Sequence, residues 1–224
     1  MNPEIRSLKS IRSVVFDFDG TLAELNIDFP RMRQSILRLI DDEGILSDDM
    51  ASLYVLEMIE TAAAEIAATR PENGSAFRRR AFEIIRAIEM EAALRGRLFP
   101  GTIPLLEDLR RSGRKSAVVT RNCRSAVLQI FPQIDVYCDL LLTRDDVPRV
   151  KPAVDHLIRS VQALGTVPRN SAMVGDHPMD VRMAREAGVR AVGVLSGHST
   201  ERDLRRAGAD LVLKDASHLL SLLS

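Results

Sequence analysis

Residues 14–22 read VVFDFDGTL, an apolar and partly β-branched run that leads directly into two carboxylates, a glycine and a threonine. A short apolar run bounded by turn residues predicts a buried strand, with Asp17 and Asp19 at the point where the strand ends. In parallel α/β sheets, ligands bind in the crevice beyond the carboxyl ends of the strands. Because closely spaced carboxylates repel each other, a divalent cation is the simplest group to offset them. The alternative is a hydrogen-bonded turn that carries solvated acids.

The composition is that of an ordinary globular protein without a strong charge bias. The chain has 224 residues, 46% of them hydrophobic and 28% charged, and Lys plus Arg equals Asp plus Glu at 31 each. This length suits one sizeable domain or one domain with a smaller insertion. A net charge of zero predicts neither a nucleic-acid partner nor an anionic membrane partner.

Two further features predict a cytoplasmic protein. The first twelve residues carry four charged side chains and lack the apolar segment of a signal peptide, and no apolar run is long enough to span a bilayer. Cys123 and Cys138 are the only cysteines, so a disulfide scaffold is not expected.

The segment after Leu22 has helical periodicity over a long distance. Helices are predicted over residues 28–44, 47–68 and 75–92, with breaks at Pro71 and Gly74. A βαβ crossover needs only about thirty residues, so these helices are predicted to be an insertion. We therefore expect a helical domain at residues 24–97, inserted into a core domain made of residues 1–23 and 98–224.

From Lys115 onward, strand and helix patterns alternate. Strands are predicted to end at Val119 and to cover residues 140–142, 172–174, 191–194 and 211–213, with helices between them. Such alternation predicts a parallel sheet covered by helices on both faces. The expected fold class is α/β, a Rossmann-like doubly wound parallel sheet with an inserted α-helical domain.

Four motifs follow one another along the chain. The first is DFDGTL at residues 17–22, the second is Thr120 after an apolar run, the third is Lys151 before Pro152, and the fourth is GDHPMD at residues 175–180. In this order they resemble the haloacid dehalogenase-like (HAD) hydrolase superfamily, in particular its phosphoglycolate phosphatase-like branch. The resemblance implies a HAD core whose inserted helices are a cap domain between the first two motifs.

The resemblance also implies a role for each motif residue. Asp17 is expected to be the nucleophile that forms an aspartyl-phosphate, and Asp19 the acid/base that serves the leaving alcohol and then water. Thr120, with a hydroxyl and a free backbone amide, and Lys151, with a point charge, complete the catalytic set. The phosphate-binding candidates are Asp17, Gly20, Thr120, Arg121 and Lys151.

A magnesium ion is the expected cofactor, because Mg²⁺ takes oxygen ligands. Its predicted ligands are the carboxylates of Asp17 and Asp176 and the backbone carbonyl of Asp19. Asp180 lies four residues after Asp176. It is either an acid in the first turn of a helix or a residue that holds metal waters or Lys151.

The predicted function is a magnesium-dependent phosphatase that acts on a small phosphorylated metabolite, as a monomer or a homodimer. A phosphomutase or another phosphotransferase of the superfamily shares every core residue, and a non-catalytic phosphate-binding regulatory protein is the more distant alternative. An acid at Asp19 argues against a dehalogenase. Residues 24–97 contain no lysine, which argues against a phosphonate hydrolase with a Schiff-base lysine in its cap.

Three further features of the sequence bear on substrate binding. Glu24 and Leu25 stand where many small-molecule phosphatases of the superfamily have Asp and Ser. His177 either contacts the phosphate or faces solvent in a turn. The candidates for substrate selection are Arg31, Arg33 and Arg78 to Arg80. The alternative is that these arginines form a solvated basic helix face.

Overall fold

The structure, a computed structural model, describes residues 10–223 apart from the side chain of Ala51. The first nine residues, where no signal peptide is expected, lie outside the described part. The chain divides into two compact units, one made of Met1–Leu25 with Arg95–Ser224 and the other of Asn26–Leu94. We call them the core unit and the helical unit.

The strands all belong to the core unit. In chain order they are β1 (Ser13–Phe16), β2 (Ala23–Glu24), β3 (Arg97–Leu98), β4 (Lys115–Val119), β5 (Leu140–Leu142), β6 (Ser171–Gly175), β7 (Arg190–Val194) and β8 (Leu211–Leu213). β2 and β3 pair antiparallel as a short ribbon. The other six form one parallel sheet in the order β5-β4-β1-β6-β7-β8. The predicted α/β doubly wound fold is therefore confirmed.

The helical unit contains α1 (Phe29–Asp42), α2 (Asp48–Ala51), α3 (Val55–Thr69) and α4 (Pro71–Ala93). Asp28 caps α1 as expected, accepting the Arg31 amide at 2.9 Å. Two boundary predictions are wrong. The predicted helix over residues 47–68 is two helices, α2 and α3, interrupted at residues 52–54.

The start of α4 is the second wrong boundary, because the helix begins at Pro71 and not at the predicted Ser75. Proline suits the first helical position, where its missing N–H has no intrahelical partner to lose. Gly74 lies in the first turn of α4, and a Cβ there would lie 2.6 Å from the Ala63 carbonyl oxygen in α3. The glycine therefore marks the close approach of α3 and α4 and does not end a helix.

The core unit carries the remaining helices. They are α5 (Thr102–Arg111), α6 (Arg124–Ile130), α7 (Ile134–Tyr137), α8 (Val154–Ala163), α9 (Pro178–Glu186), α10 (Glu201–Arg206) and α11 (Leu220–Leu223). One apolar cluster joins β1, β4, β6 and β7 to α8, α9 and α10, with Val15, Met173, Leu157 and Val181 among its members. Strands buried on both faces explain why β1, β4 and β6 are apolar in sequence.

The strand order places a topological switch point between β1 and β6. From β1 the chain proceeds to β4 and β5 on one side, and then crosses to β6, β7 and β8 on the other. In open α/β sheets, ligands bind at the carboxyl ends of the strands where the order reverses. Asp17 follows β1 and Asp176 follows β6, so both lie at this point. Within residues 10–223, no helix is long and apolar enough to cross a bilayer.

Candidate active site

Asp17 is the first residue after the central strand of the sheet. Its amide donates to the Val174 carbonyl of β6 at 2.9 Å, which continues the sheet by one residue. Its Oδ1 accepts hydrogen bonds from the Phe18 amide and the Lys151 ammonium, both at 2.7 Å. Burial raises the pKa of Asp17 to about 6, although the Lys151 charge acts in the opposite direction.

A tight turn carries Asp19 away from the strand. The Phe18 carbonyl accepts the amides of Leu22 and Ala23 at 2.9 and 3.0 Å, and the turn passes through Gly20 with φ of 77°. Asp19 Oδ1 accepts the Leu25 amide at 3.0 Å, so the chain that leaves the turn orients this carboxylate. Burial raises the pKa of Asp19 to about 6, while the Leu25 hydrogen bond lowers it.

Lys151 is the cation that the structure brings into this group of acids. Its side chain is 2% exposed, and its Nζ lies 2.7 Å from Asp17 Oδ1 and 2.8 Å from Asp180 Oδ1. Burial alone would lower the pKa of Lys151, but Asp17 and Asp180 outweigh it and raise the pKa. Asp180 therefore holds Lys151 from the first turn of α9, which is one of the two readings that the sequence left open.

The carboxylates of Asp17, Asp176 and Asp180 form a cluster suited to a cation. Each offers one oxygen, and these oxygens all lie within 4.8 Å of one another. Burial raises the pKa of Asp176 to about 8, and the charges of Asp17 and Asp180 add to this. Asp180 Oδ2 is buried and has no hydrogen-bond partner among the described residues. One lysine against these acids leaves excess negative charge, so the donor set fits a hard divalent cation.

The loop after β7 closes around Asp176, and sequence reasoning did not identify it. A Cβ on Gly197 would lie 1.9 Å from Asp176 Oδ2, and one on Gly20 would lie 2.6 Å from the same atom. Ser196 Oγ donates to the Gly20 carbonyl at 2.7 Å, which ties this loop to the Asp19 turn. The Asp176 side chain is thus enclosed by two backbone segments that admit no side chain.

Thr120 directly follows β4, but its backbone amide is not free as predicted. That amide donates to the Leu142 carbonyl of β5 at 3.0 Å, so the predicted phosphate contact through it is wrong. The Thr120 hydroxyl donates to Asn122 Oδ1 at 2.7 Å. Both residues are almost fully buried. The neighbouring Arg121 directs its guanidinium to the Lys151 carbonyl oxygen.

His177 caps α9 with its side chain. Its Nδ1 accepts the Met179 amide at 3.1 Å, which satisfies one of the amides at the start of the helix. Burial lowers the pKa of His177. His177 therefore has a structural role as the cap of α9, and it also directly follows Asp176 in the sequence.

The family profile described as haloacid dehalogenase-like hydrolase matches residues 14–194 of the chain. A phosphoglycolate phosphatase of Chromobacterium violaceum is 29% identical over 227 residues, which cover 97% of this chain and 98% of the relative. An N-acetylmuramic acid 6-phosphate phosphatase of Pseudomonas putida is 28% identical, covering 91% of this chain and 92% of the relative.

Solved structures share the fold. A hydrolase from Pseudomonas syringae superposes with a TM-score of 0.69 at 24% identity, covering 94% of this chain and 96% of its own. The CbbY protein of Rhodobacter sphaeroides, solved in complex with phosphate, has a TM-score of 0.64 at 22% identity and covers 95% and 99% of the two chains. At these identities the likeness concerns the fold alone.

Proposed function

The chain belongs to the haloacid dehalogenase-like hydrolase family, and on that premise we propose that it is a magnesium-dependent phosphatase. It hydrolyses a small-molecule phosphate monoester through an aspartyl-phosphate on Asp17. The observation that carries this proposal is the position of the Lys151 ammonium, 2.7 Å from Asp17 and 2.8 Å from Asp180, beside a third carboxylate at Asp176.

Asp17 is assigned the attack on phosphorus because it lies at the switch point of the sheet. The Phe18 amide and Lys151 hold its Oδ1, so we assign the nucleophilic attack to Oδ2. Lys151 offsets negative charge as the phosphoryl group is transferred to the carboxylate. The Thr120 hydroxyl donates to Asn122 Oδ1 in this structure, and we propose that it turns to donate to a phosphoryl oxygen when substrate binds.

Asp19 is assigned the proton transfers. One of its carboxylate oxygens accepts the Leu25 amide, and the other delivers a proton to the leaving alcohol. Asp19 then takes a proton from the water that hydrolyses the aspartyl-phosphate. Asp17, Asp176 and Asp180 and the Asp19 carbonyl are the proposed ligands of magnesium, which supplies positive charge to the phosphoryl oxygens when bound.

We propose a small phosphorylated metabolite as the substrate and the helical unit as the cap domain that selects it. Relatives named for phosphoglycolate and for N-acetylmuramic acid 6-phosphate support this substrate class. A cytoplasmic location is also proposed. It is supported by Cys123 and Cys138, both of which are buried free thiols.

The experiment is phosphate release by the purified protein, with magnesium and with EDTA, from metabolite phosphates, phosphopeptides and phosphate-terminated oligonucleotides. We expect release only with magnesium and the highest kcat/KM on a metabolite phosphate. Absence of release from every substrate contradicts the phosphatase proposal. If a phosphopeptide or an oligonucleotide has a clearly higher kcat/KM than every metabolite phosphate, only the proposed substrate class is contradicted.

A further inference from the structure

His156 is a buried histidine that contacts the lysine of the candidate site through the backbone. It lies in α8 and is 0% exposed. Its Nδ1 accepts the Lys151 amide at 3.3 Å, and its Nε2 lies 3.3 Å from the Leu142 carbonyl oxygen. An acceptor at Nδ1 and a donor at Nε2 together require the neutral tautomer with its proton on Nε2.

The contacts of His156 connect three segments of the site. The Leu142 carbonyl, which receives His156 Nε2, also receives the Thr120 amide at 3.0 Å. On its other side, the Lys151 peptide is held by the Arg121 guanidinium, which donates to the Lys151 carbonyl oxygen. The backbone of Lys151 is thus fixed at its N–H by His156 and at its C=O by Arg121.

We propose that His156 is a positioning residue that fixes the backbone of Lys151, so that the ammonium reaches both Asp17 and Asp180. The inference rests on the phosphatase function proposed above. A lysine side chain has four rotatable carbon–carbon bonds, so a fixed backbone reduces the number of places that its ammonium can occupy relative to Asp17 and Asp180. Displacement of that backbone by about 1 Å is the kind of change that costs about a hundredfold in rate.

The surroundings of His156 favour the neutral ring that this role requires. Burial lowers its pKa to about 4, and the positive charges of Lys151 and Arg121 act in the same direction. The Leu142 carbonyl and the Asp146 carboxylate act in the opposite direction and are outweighed. The imidazole is therefore neutral at neutral pH and keeps Nδ1 available as an acceptor.

Two substitutions separate the contacts of His156 from each other. In His156→Asn, the amide oxygen takes about the place of Nδ1 and can accept the Lys151 amide. In His156→Gln, the amide nitrogen takes about the place of Nε2 and can donate to Leu142, but the Lys151 contact is lost. Each variant retains one hydrogen bond, so the pair is matched in polarity and differs in the bond that is kept.

The test measures kcat and KM for p-nitrophenyl phosphate with magnesium, the melting temperature of each variant, and the imidazole ¹⁵N shifts of the wild type. We expect kcat of His156→Gln to fall by about 10- to 100-fold from the wild-type value. The kcat of His156→Asn should be at least about tenfold higher than that of His156→Gln. The melting temperatures of the two variants are expected to fall alike, and the wild type to carry its proton on Nε2.

Two outcomes overturn the positioning role. One is equal kcat in two folded variants of an active enzyme, and the other is a wild-type proton on Nδ1. If either variant fails to fold, the position of the imidazole proton in the wild type tests the positioning role by itself. A wild type with the expected tautomer that releases no phosphate from any ester instead overturns the proposed function, and the positioning role falls with it.

Discussion

The two units of this protein use the same kinds of charged side chain in opposite ways. In the helical unit, the ion pairs Arg31–Glu91 and Arg78–Glu60 join side chains that are about half exposed, with exposed fractions of 49–53%. In the core unit, Lys151 and Asp180 form an ion pair in which both side chains are 2% exposed. Exposed pairs contribute about 0–1 kcal/mol to stability, whereas burying an ion costs several kcal/mol before any pairing offsets it.

This difference indicates that the charged residues with a chemical role are the buried ones of the core unit. A buried cluster of acids around one lysine is an expensive arrangement, and the raised pKa values of Asp17 and Asp176 express its cost. The half-exposed pairs carry no such cost. Substitutions in the core cluster should therefore change activity far more than folding, and substitutions on the exposed helical faces should change little of either.

Asp17→Asn is expected to have the largest effect on activity among the substitutions in the two units. The change removes the proposed nucleophile with almost no change in volume, so kcat should fall by at least about 10⁴-fold. The fold should persist, since the substitution also removes one charge from a crowded buried cluster. Hydrolysis of p-nitrophenyl phosphate and circular dichroism check the two statements. Wild-type turnover by this variant would exclude Asp17 as the nucleophile.

Asp19→Ala is expected to have a smaller effect that depends on the substrate. General acid assistance is worth about 10²- to 10⁴-fold, and an alkyl phosphate needs it more than an aryl phosphate does. The loss in kcat/KM should therefore be much larger for the alkyl ester. The measurement compares both esters on wild type and variant. Equal losses on the two substrates would contradict the acid/base role.

Gly197→Ala tests whether the loop after β7 shapes the candidate metal site. A Cβ there would collide with the Asp176 carboxylate, so we expect the magnesium concentration for half-maximal activity to rise about tenfold, the scale seen when groups that orient metal ligands are lost. Overpacking of this kind costs about 1–3 kcal/mol in unfolding free energy.

Gly101→Ala is the matched control for that variant. A Cβ at Gly101 would lie 2.6 Å from the Ser217 Cβ, which is a milder collision elsewhere in the core unit. This variant should also lose stability while keeping the wild-type magnesium requirement. A shift in that requirement in both variants would assign the effect to general destabilisation instead of the site.

Arg78→Ala is expected to have the smallest effect. Arg78 Nε contacts both oxygens of Glu60 at 2.9 and 3.0 Å, and its guanidinium lies 4.6 Å from the centroid of the Phe82 ring. Because the pair is half exposed, we expect a loss of under about 1 kcal/mol in unfolding free energy. Denaturant melts and kcat/KM check this. A large loss in kcat/KM would make Arg78 a substrate-binding residue.

The parts of the fold that could be predicted are those encoded in continuous sequence patterns. The apolar run before Asp17 identified β1, and the alternation after Lys115 identified the order of strands and helices. The β2–β3 ribbon was missed because a strand of two residues has no periodicity to detect. The start of α4 was misplaced because Pro71 is compatible with either the end of one helix or the first turn of the next.

The candidate site shows the same division. Five predicted site residues stand in short motifs, namely Asp17, Asp19, Lys151, Asp176 and Asp180. The structure brings the side chains of four of them together, those of Asp17, Lys151, Asp176 and Asp180. Ser196 could not be connected to Gly20 from sequence, because 176 positions separate them and a lone serine carries no signal. His156 likewise resembles any core histidine until its contacts with Lys151 and Leu142 are known.

The β2–β3 ribbon has a consequence for how this enzyme can change. Ala23 pairs with Leu98 and Glu24 with Arg97, so the chain leaves the core unit and returns to it on two adjacent strands, with paired Cα atoms about 5 Å apart. Ends this close allow a segment to be exchanged without altering the host topology. If the helical unit selects the substrate as proposed, exchange of residues 26–94 would change the substrate while the proposed catalytic residues of the core unit stay in place.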